Sequence, residues 1–303
     1  MEKTFYSNGK LLITGEYLVL DGAKSLALPT KFGQYLKVSS GDLGQIHWTS
    51  FDNDNSIWFE ETISFNEIIN FKALGNLSQR DTLIKILYEA YLLNADFLKS
   101  SLGYSISSAL TFSKLWGLGT SSTLINNIAQ WLKIDAFMLL NNSFGGSGYD
   151  IACAQNNSTI VYQLKNGLPI VEKVNFNPEF SDNIYFVYLN KKQSSKIAIE
   201  NYYKNKKNLA IDFSIINKIT LSVLNSNSTE EFCDLIDKHE KVMSEILELP
   251  TVKDTLFPDF DGSIKSLGAW GGDFVMAISK GNPRDYFENK GYKTIVSYKD
   301  MIL

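Results

Sequence analysis

The sequence predicts an α+β protein of two domains, and three observations predict it. The chain has 303 residues, enough for two domains that each bury a core. Residues 104–132 run from an alternating strand through W-G-L-G-T-S-S into apolar residues at helical spacing, the order strand, glycine turn, helix. Residues 264–298 hold short apolar strands and a helix, with G-A-W-G-G-D at a strand junction, which reads as a smaller α+β half. The polar stretch 166–183 is the best place for the boundary, giving domains 1–175 and 176–303.

Composition sets the outer limits. Hydrophobic residues at 44% and charged residues at 20% are ordinary for a globular chain. A net charge of -4 and a pI near 5.4 argue against a nucleic-acid surface, which needs a basic patch. Cys153 and Cys233 stand far apart and in no metal-ligand spacing, so both read as small buried hydrophobes. His47 and His239 are the only histidines, which leaves little room for a catalytic triad or a histidine metal site. No run has the length of a membrane helix and the N-terminus lacks a signal-peptide core, so no membrane partner and a cytoplasmic location are expected.

Taken in order, residues 10–20 are strand formers interrupted by Gly15 and Glu16 and turned by Asp21-Gly22, which predicts a hairpin continuing through 25–29 into 33–39. Lys10 and Glu16 within it are either solvated edge residues or charges put to use, because an unpaired buried charge is costly. Residues 44–65 predict further strands around the D-N-D-N-S turn at 52–56. Residues 80–98 predict an amphipathic helix carrying Leu83, Ile84, Leu87, Tyr88, Tyr91 and Leu92 on one face. A strand over 104–112 then delivers the chain to the glycine turn.

That turn has two readings. Gly117 and Gly119 free the backbone, Thr120, Ser121 and Ser122 add hydroxyls, and Thr123 onward is helical. A helix N-terminus exposes unpaired amides and a partial positive charge, so it suits a phosphate without any lysine. The same residues also make an ordinary Ser/Thr N-cap. Asp150 likewise is either an isolated reactive acid, delivered by Gly145, Gly146 and Gly148 to an apolar segment, or a helix N-cap. Beyond it, strands are expected at 158–164 and 184–189, then a helical region to about Leu249 broken near 209–212 and 225–228 into three helices. Strands at 264–270, 273–279 and 293–298 and a short helix at 283–289 complete the chain.

Four motifs in a fixed order resemble those of the GHMP kinases, the group that contains galactokinase, homoserine kinase, mevalonate kinase and phosphomevalonate kinase. S-N-G-K-L-L-I-T-G-E-Y-L-V-L at 7–20 resembles the opening motif, and G-L-G-T-S-S at 117–122 resembles the phosphate loop. S-G-Y-D-I-A at 147–152 is similar to the family's S-G-x-D segment, and G-Y-D-I-A within it resembles the signature of a bacterial subgroup associated with the mevalonate pathway. S-L-G-A-W-G-G-D at 266–273 is similar to the C-terminal glycine motif, with Trp270 where glycine is usual.

The resemblance implies a two-domain GHMP kinase fold, ribosomal protein S5 domain 2-like then ferredoxin-like, with nucleotide and acceptor in the cleft between. It implies that ATP phosphates meet Gly117, Leu118, Gly119, Thr120, Ser121 and Ser122, with Ser121 helping to hold Mg²⁺. Asp150 falls on the family's catalytic aspartate and Lys10 on the lysine that accompanies it. Glu16, Tyr17, Ser147, Gly148, Ser194, Ser195, Gly268 and Ala269 fall on the substrate side. The implied reaction is transfer of the ATP γ-phosphoryl group to a small anionic acceptor, mevalonate or phosphomevalonate, and a homodimer is entertained. Such chemistry is mostly alignment and charge neutralisation, so the absence of a catalytic histidine is no obstacle.

Departures shape the alternatives. G-E-Y at 15–17 and the G-G-D ending resemble phosphomevalonate kinases more than mevalonate kinases, which carry G-E-H. No glutamate occurs at 134–149, where mevalonate kinases place a metal-binding one, and Gln193 stands where the mevalonate enzymes have arginine, although Lys191, Lys192 and Lys196 remain nearby. A sugar-type GHMP kinase, a diphosphomevalonate decarboxylase-like enzyme and an inactive nucleotide-binding homologue are the competing readings.

Overall fold

The computed structural model describes residues 2–72, 75, 77–99, 101–193, 195–206 and 213–303, without the side chains at 195, 196, 201, 205 and 206. The chain forms two compact units, 1–9 with 32–114 and 118–155, and 10–31 with 115–117 and 156–303. Strands β1 (Lys3–Leu12) and β2 (Ser25–Ser40) contribute residues to both.

In the first unit β2 is followed by β3 (Gln45–Phe51), β4 (Ile57–Ser64), helices α1 (Phe65–Ile69), α2 (Gln79–Leu93) and α3 (Asp96–Lys99), and β5 (Tyr104–Leu110). Then come α4 (Thr120–Leu132), α5 (Ala136–Ser143) and α6 (Tyr149–Gln155). The strand order is β4-β3-β5-β2, with β3 parallel to β5 and the other two pairings antiparallel. Alternation puts Leu36, Val38, Ile46, Trp48, Ile63 and Ile106 on one face, where they meet Leu83, Ile84 and Leu87 of α2, Ile125, Ile128 and Leu132 of α4, and Ile151 of α6. The helix expected over 80–98 is two helices. Asn94 is extended and gives its side-chain amide to the Leu132 carbonyl at 2.9 Å, so the pattern continues through a break that periodicity does not register.

In the second unit the 25–27 portion of β2 pairs with β6 (Ile160–Lys165), which pairs with β7 (Leu168–Lys173). β7 falls in the stretch read as a polar boundary; its side chains are mostly exposed, so it carries little apolar signal. β8 (Ile184–Tyr188) leads to α7 (Ser195–Lys206), α8 (Phe213–Leu224), α9 (Thr229–Leu247) and α10 (Val252–Leu256). β9 (Ser263–Leu267), β10 (Phe274–Ile278), α11 (Arg284–Asn289), β11 (Ile295–Ser297) and α12 (Tyr298–Met301) follow. A second antiparallel sheet has the order β11-β8-β10-β9. The three expected helices are α7, α8 and α9, and the break placed at 209–212 lies outside the described residues.

The pairing expected between 10–20 and 25–39 forms, since β1 pairs with β2, but the strand is shorter than expected and the connection longer than a tight hairpin turn. β1 ends at Leu12, and Leu18–Asp21 is a short 3-10 turn entered through Tyr17 at a left-handed φ of 59°. The strand-forming composition of this stretch reflects burial: Leu18 and Val19 are core residues. No helix among the described residues is long and apolar enough to cross a membrane.

Candidate active site

From Leu118 onward the glycine turn belongs to the first unit, with α4. Gly119 caps α4 at φ 98°, a left-handed conformation that costs glycine least, and no side chain caps this end. The Ser/Thr N-cap alternative therefore does not hold. The first helical hydrogen bond runs from Thr123 N–H to the Gly119 carbonyl at 2.9 Å, so the amides of Thr120, Ser121 and Ser122 precede the helical ladder. The Ser122 hydroxyl is turned back onto the Gly119 carbonyl at 2.9 Å, and the Thr123 hydroxyl donates to Gln34 Oε1 at 2.7 Å. The hydroxyls of Thr120 and Ser121 make no hydrogen bond among the described residues, and Ser121 is exposed.

A buried polar network holds this helix in place. Ser7 Oγ donates to Asn127 Oδ1 and receives Asn126 Nδ2, both at 2.8 Å, and Asn127 Nδ2 reaches the Gln34 carbonyl at 2.9 Å. Sequence reasoning did not single out Ser7, Gln34, Asn126 or Asn127. The available signal was a pair of asparagines inside an otherwise apolar helix, since buried amides are kept only where partners await them.

α6 packs against α4, and Gln155 Nε2 donates to Asn126 Oδ1 at 3.1 Å. Gly148, at φ 83°, turns the chain into α6, so Asp150 sits inside its first turn instead of capping it. Asp150 is half-buried, and its Oδ1 accepts the neighbouring Ile151 amide at 3.1 Å. Ser147, just upstream, is nearly buried.

The second unit carries Lys10, Gly117, Gly268 and Asp273. Lys10 Nζ donates to the Gly117 carbonyl at 3.0 Å, one residue before Leu118 and the α4 turn. Together with Trp116, Leu267 and Phe274 these four residues line one small recess. The Asp273 carboxylate is 7% exposed, and burial holds it above the ordinary aspartate range while Lys10, the Gln193 amide and Lys192 pull the other way. Ala269 is buried.

Glu16 is not solvated. It is 3% exposed and ion-paired through Oε1 with Lys265 Nζ at 2.6 Å, and Lys265 also pairs with Glu240 at 3.0 Å. Burial pulls the Lys265 ammonium down, but the two carboxylates outweigh it and hold it above the ordinary lysine value. Burial likewise pushes Glu240 up, and Lys265 with His239 brings it below the ordinary carboxylate value. His239 Nε2 accepts the Gly15 amide at 3.0 Å, which puts a neutral ring's proton on Nδ1. Tyr17 is buried, its hydroxyl accepts the Trp270 amide at 2.9 Å, and its ring stacks on Tyr202 at 5.6 Å between centroids. Cys153 is buried as expected and Cys233 only partly so. Ser194 lies outside the described residues, as does the side chain of Ser195, whose backbone opens α7.

No protein-family description matches the sequence, and no curated protein matches it. Solved structures do. Mevalonate kinase of Methanococcus jannaschii superposes with a TM-score of 0.68 at 17% identity, covering 97% of this chain and 96% of the other. Streptococcus pneumoniae phosphomevalonate kinase, in complex with phosphomevalonate and AMPPNP, gives 0.69 at 16% identity over 97% and 99%. Lactococcus lactis galactokinase complexed with galactose gives 0.70 at 12% identity over 98% and 92%. This is the GHMP kinase fold. Within it the glycine turn before α4 carries the sequence that resembles the GHMP phosphate loop, and the recess at Asp273 carries the one that resembles the last GHMP motif. The likeness extends over a mevalonate kinase, a phosphomevalonate kinase and a galactokinase, so the architecture is common ground and the acceptor is not.

Proposed function

We propose that the chain is an ATP- and Mg²⁺-dependent kinase of the GHMP type, acting on mevalonate or phosphomevalonate. The observation that carries this reading is the N-terminus of α4: three amides ahead of the helical ladder, the open hydroxyls of Thr120 and Ser121, and no side-chain cap filling the end. That donor set fits a nucleotide's phosphates, with Gly117, Leu118 and Gly119 supplying the turn. Ser121 suits Mg²⁺ as a single protein oxygen, because Mg²⁺ keeps several waters and phosphate oxygens in its shell. When bound, the ion neutralises phosphate charge.

An acceptor oxygen attacks the γ-phosphorus as the bond to the ADP oxygen breaks, and a hydroxyl acceptor gives its proton to the Asp150 carboxylate. Lys10 supplies positive charge for the negative charge that develops. Tyr17, Ser147, Gly148, Ser194, Ser195, Gly268 and Ala269 are assigned to the acceptor side. Glu16, engaged with Lys265, is assigned to supporting the Gly15–Tyr17 turn behind it. G-E-Y and G-G-D favour phosphomevalonate of the two acceptors.

Measuring ADP release with ATP, Mg²⁺ and each of mevalonate, phosphomevalonate and galactose tests the reading. Turnover with either of the first two supports it, turnover with galactose alone replaces it with a sugar kinase, and none with any rejects it. Asp150→Asn is expected to lower transfer to a hydroxyl by about 10²–10⁴-fold with nucleotide affinity retained. The loss is smaller for phosphomevalonate, whose phosphate is largely ionised at neutral pH and has no proton to give up.

A further inference from the structure

We propose that Asp273 is a positioning residue that holds the Lys10 ammonium at the Gly117 carbonyl, and so fixes the glycine turn that leads into α4. Three sequence-remote motifs meet at this one carboxylate. A side-chain carbon placed on Gly117 would lie 2.3 Å from Asp273 Oδ2, and one on Gly268 would lie 3.3 Å from it, so both glycines make room for the acid. Lys10, from the opening motif, lines the same recess and donates to Gly117.

The backbone of Asp273 is built to hold this position. Its φ is 52°, left-handed for a non-glycine residue, and it is clamped from both sides: its amide donates to the Lys191 carbonyl at 2.7 Å and its carbonyl accepts the Leu189 amide at 2.8 Å. The Gln193 amide lies 3.4 Å from Oδ1. Among the described residues, the charged or titratable groups that bear on the carboxylate are Lys10, Lys192 and Tyr188. A nearly buried carboxylate is costly without positive charge beside it, and one facing a lysine raises that lysine's hold on its proton.

The functional part of this inference rests on the kinase reading of Lys10, so its test has a readout that needs no activity. Trace acetylation across pH, read by mass spectrometry, gives the fraction of Lys10 that is uncharged. In Asp273→Asn, which keeps the shape and the Gln193 contact, labelling of Lys10 at a fixed pH is expected to rise about 3–10-fold as the ammonium loses its carboxylate neighbour. Unchanged labelling in a folded variant overturns the proposal. If Asp273→Asn fails to fold, Lys10→Gln gives the reciprocal reading: the Asp273 carboxyl midpoint, followed by ¹³C shifts, is expected to rise, and no movement overturns the proposal. With transfer as the readout, Asp273→Asn is expected to add little to Lys10→Gln, and full additivity overturns the coupling. Shifted labelling without transfer in the wild type leaves the pairing standing and removes the kinase reading; transfer with unshifted labelling does the reverse.

Discussion

Gly117 shows how much one residue can be asked to do. Its φ of 67° is left-handed, its carbonyl receives Lys10, and its α-carbon faces the Asp273 carboxylate. Alanine there meets both backbone strain and a collision with Oδ2, so Gly117→Ala is expected to cost about 1–3 kcal/mol of stability and to weaken nucleotide binding. Chemical denaturation and titration with a nucleotide analogue check the two effects; a variant with wild-type values in both would show that the turn tolerates a side chain. The identity of this glycine was readable in the sequence, where G-L-G-T-S-S announces a turn. Its partner was not. Asp273 is remote in the chain, and an acid after two glycines reads equally well as a turn residue.

At the scale of elements, α4 and α9 each place polar groups where their apolar periodicity predicts core. On α4 the asparagines bind β1 and β2 residues, and Asn127→Ala leaves the Ser7 hydroxyl and the Gln34 carbonyl short of a partner. The expected loss is about 1–3 kcal/mol, with nucleotide affinity falling because the helix end is less firmly held. On α9 the buried stripe Phe232, Ile236, His239, Glu240, Met243 and Leu247 includes two polar residues that serve Gly15 and Lys265. Lys265→Met strands two buried carboxylates and is expected to cost about 3–5 kcal/mol near neutral pH, measured by urea unfolding. The loss depends on pH in a defined direction. Glu240 is held below its unfolded value, so its contribution is present above the ordinary glutamate range and disappears as pH falls through its folded value. Lys265 is held above its unfolded value, so its contribution is complete below the ordinary lysine range and disappears as pH rises through its folded value. Wild type and variant are therefore expected to converge in stability on strong acidification, and a gap that stays constant would contradict the assignment.

Taken whole, the chain offers a test that needs no turnover. A ligand that binds only the folded state stabilises it by about 2.7 kcal/mol at a hundred times its dissociation constant. A non-hydrolysable ATP analogue with Mg²⁺ is expected to raise the melting temperature, and the true acceptor to raise it further, whereas an acceptor that does not bind leaves it where it was. The strand, glycine turn and helix over 104–132 and most of the later strands and helices were legible from apolar spacing and turn chemistry, because those signals are local. The stretch at 13–20 shows the limit: a buried 3-10 turn and a strand both demand apolar residues, and only the surroundings tell them apart. By itself the sequence determined the α+β class, the glycine turn before α4 and the order of the four motifs, since each is written in neighbouring residues. Tertiary structure alone decided that Glu16 is a buried ion-pair partner and that Lys10, Gly117 and Asp273 share a recess, because charge pairing depends on distance in space and not on distance along the chain.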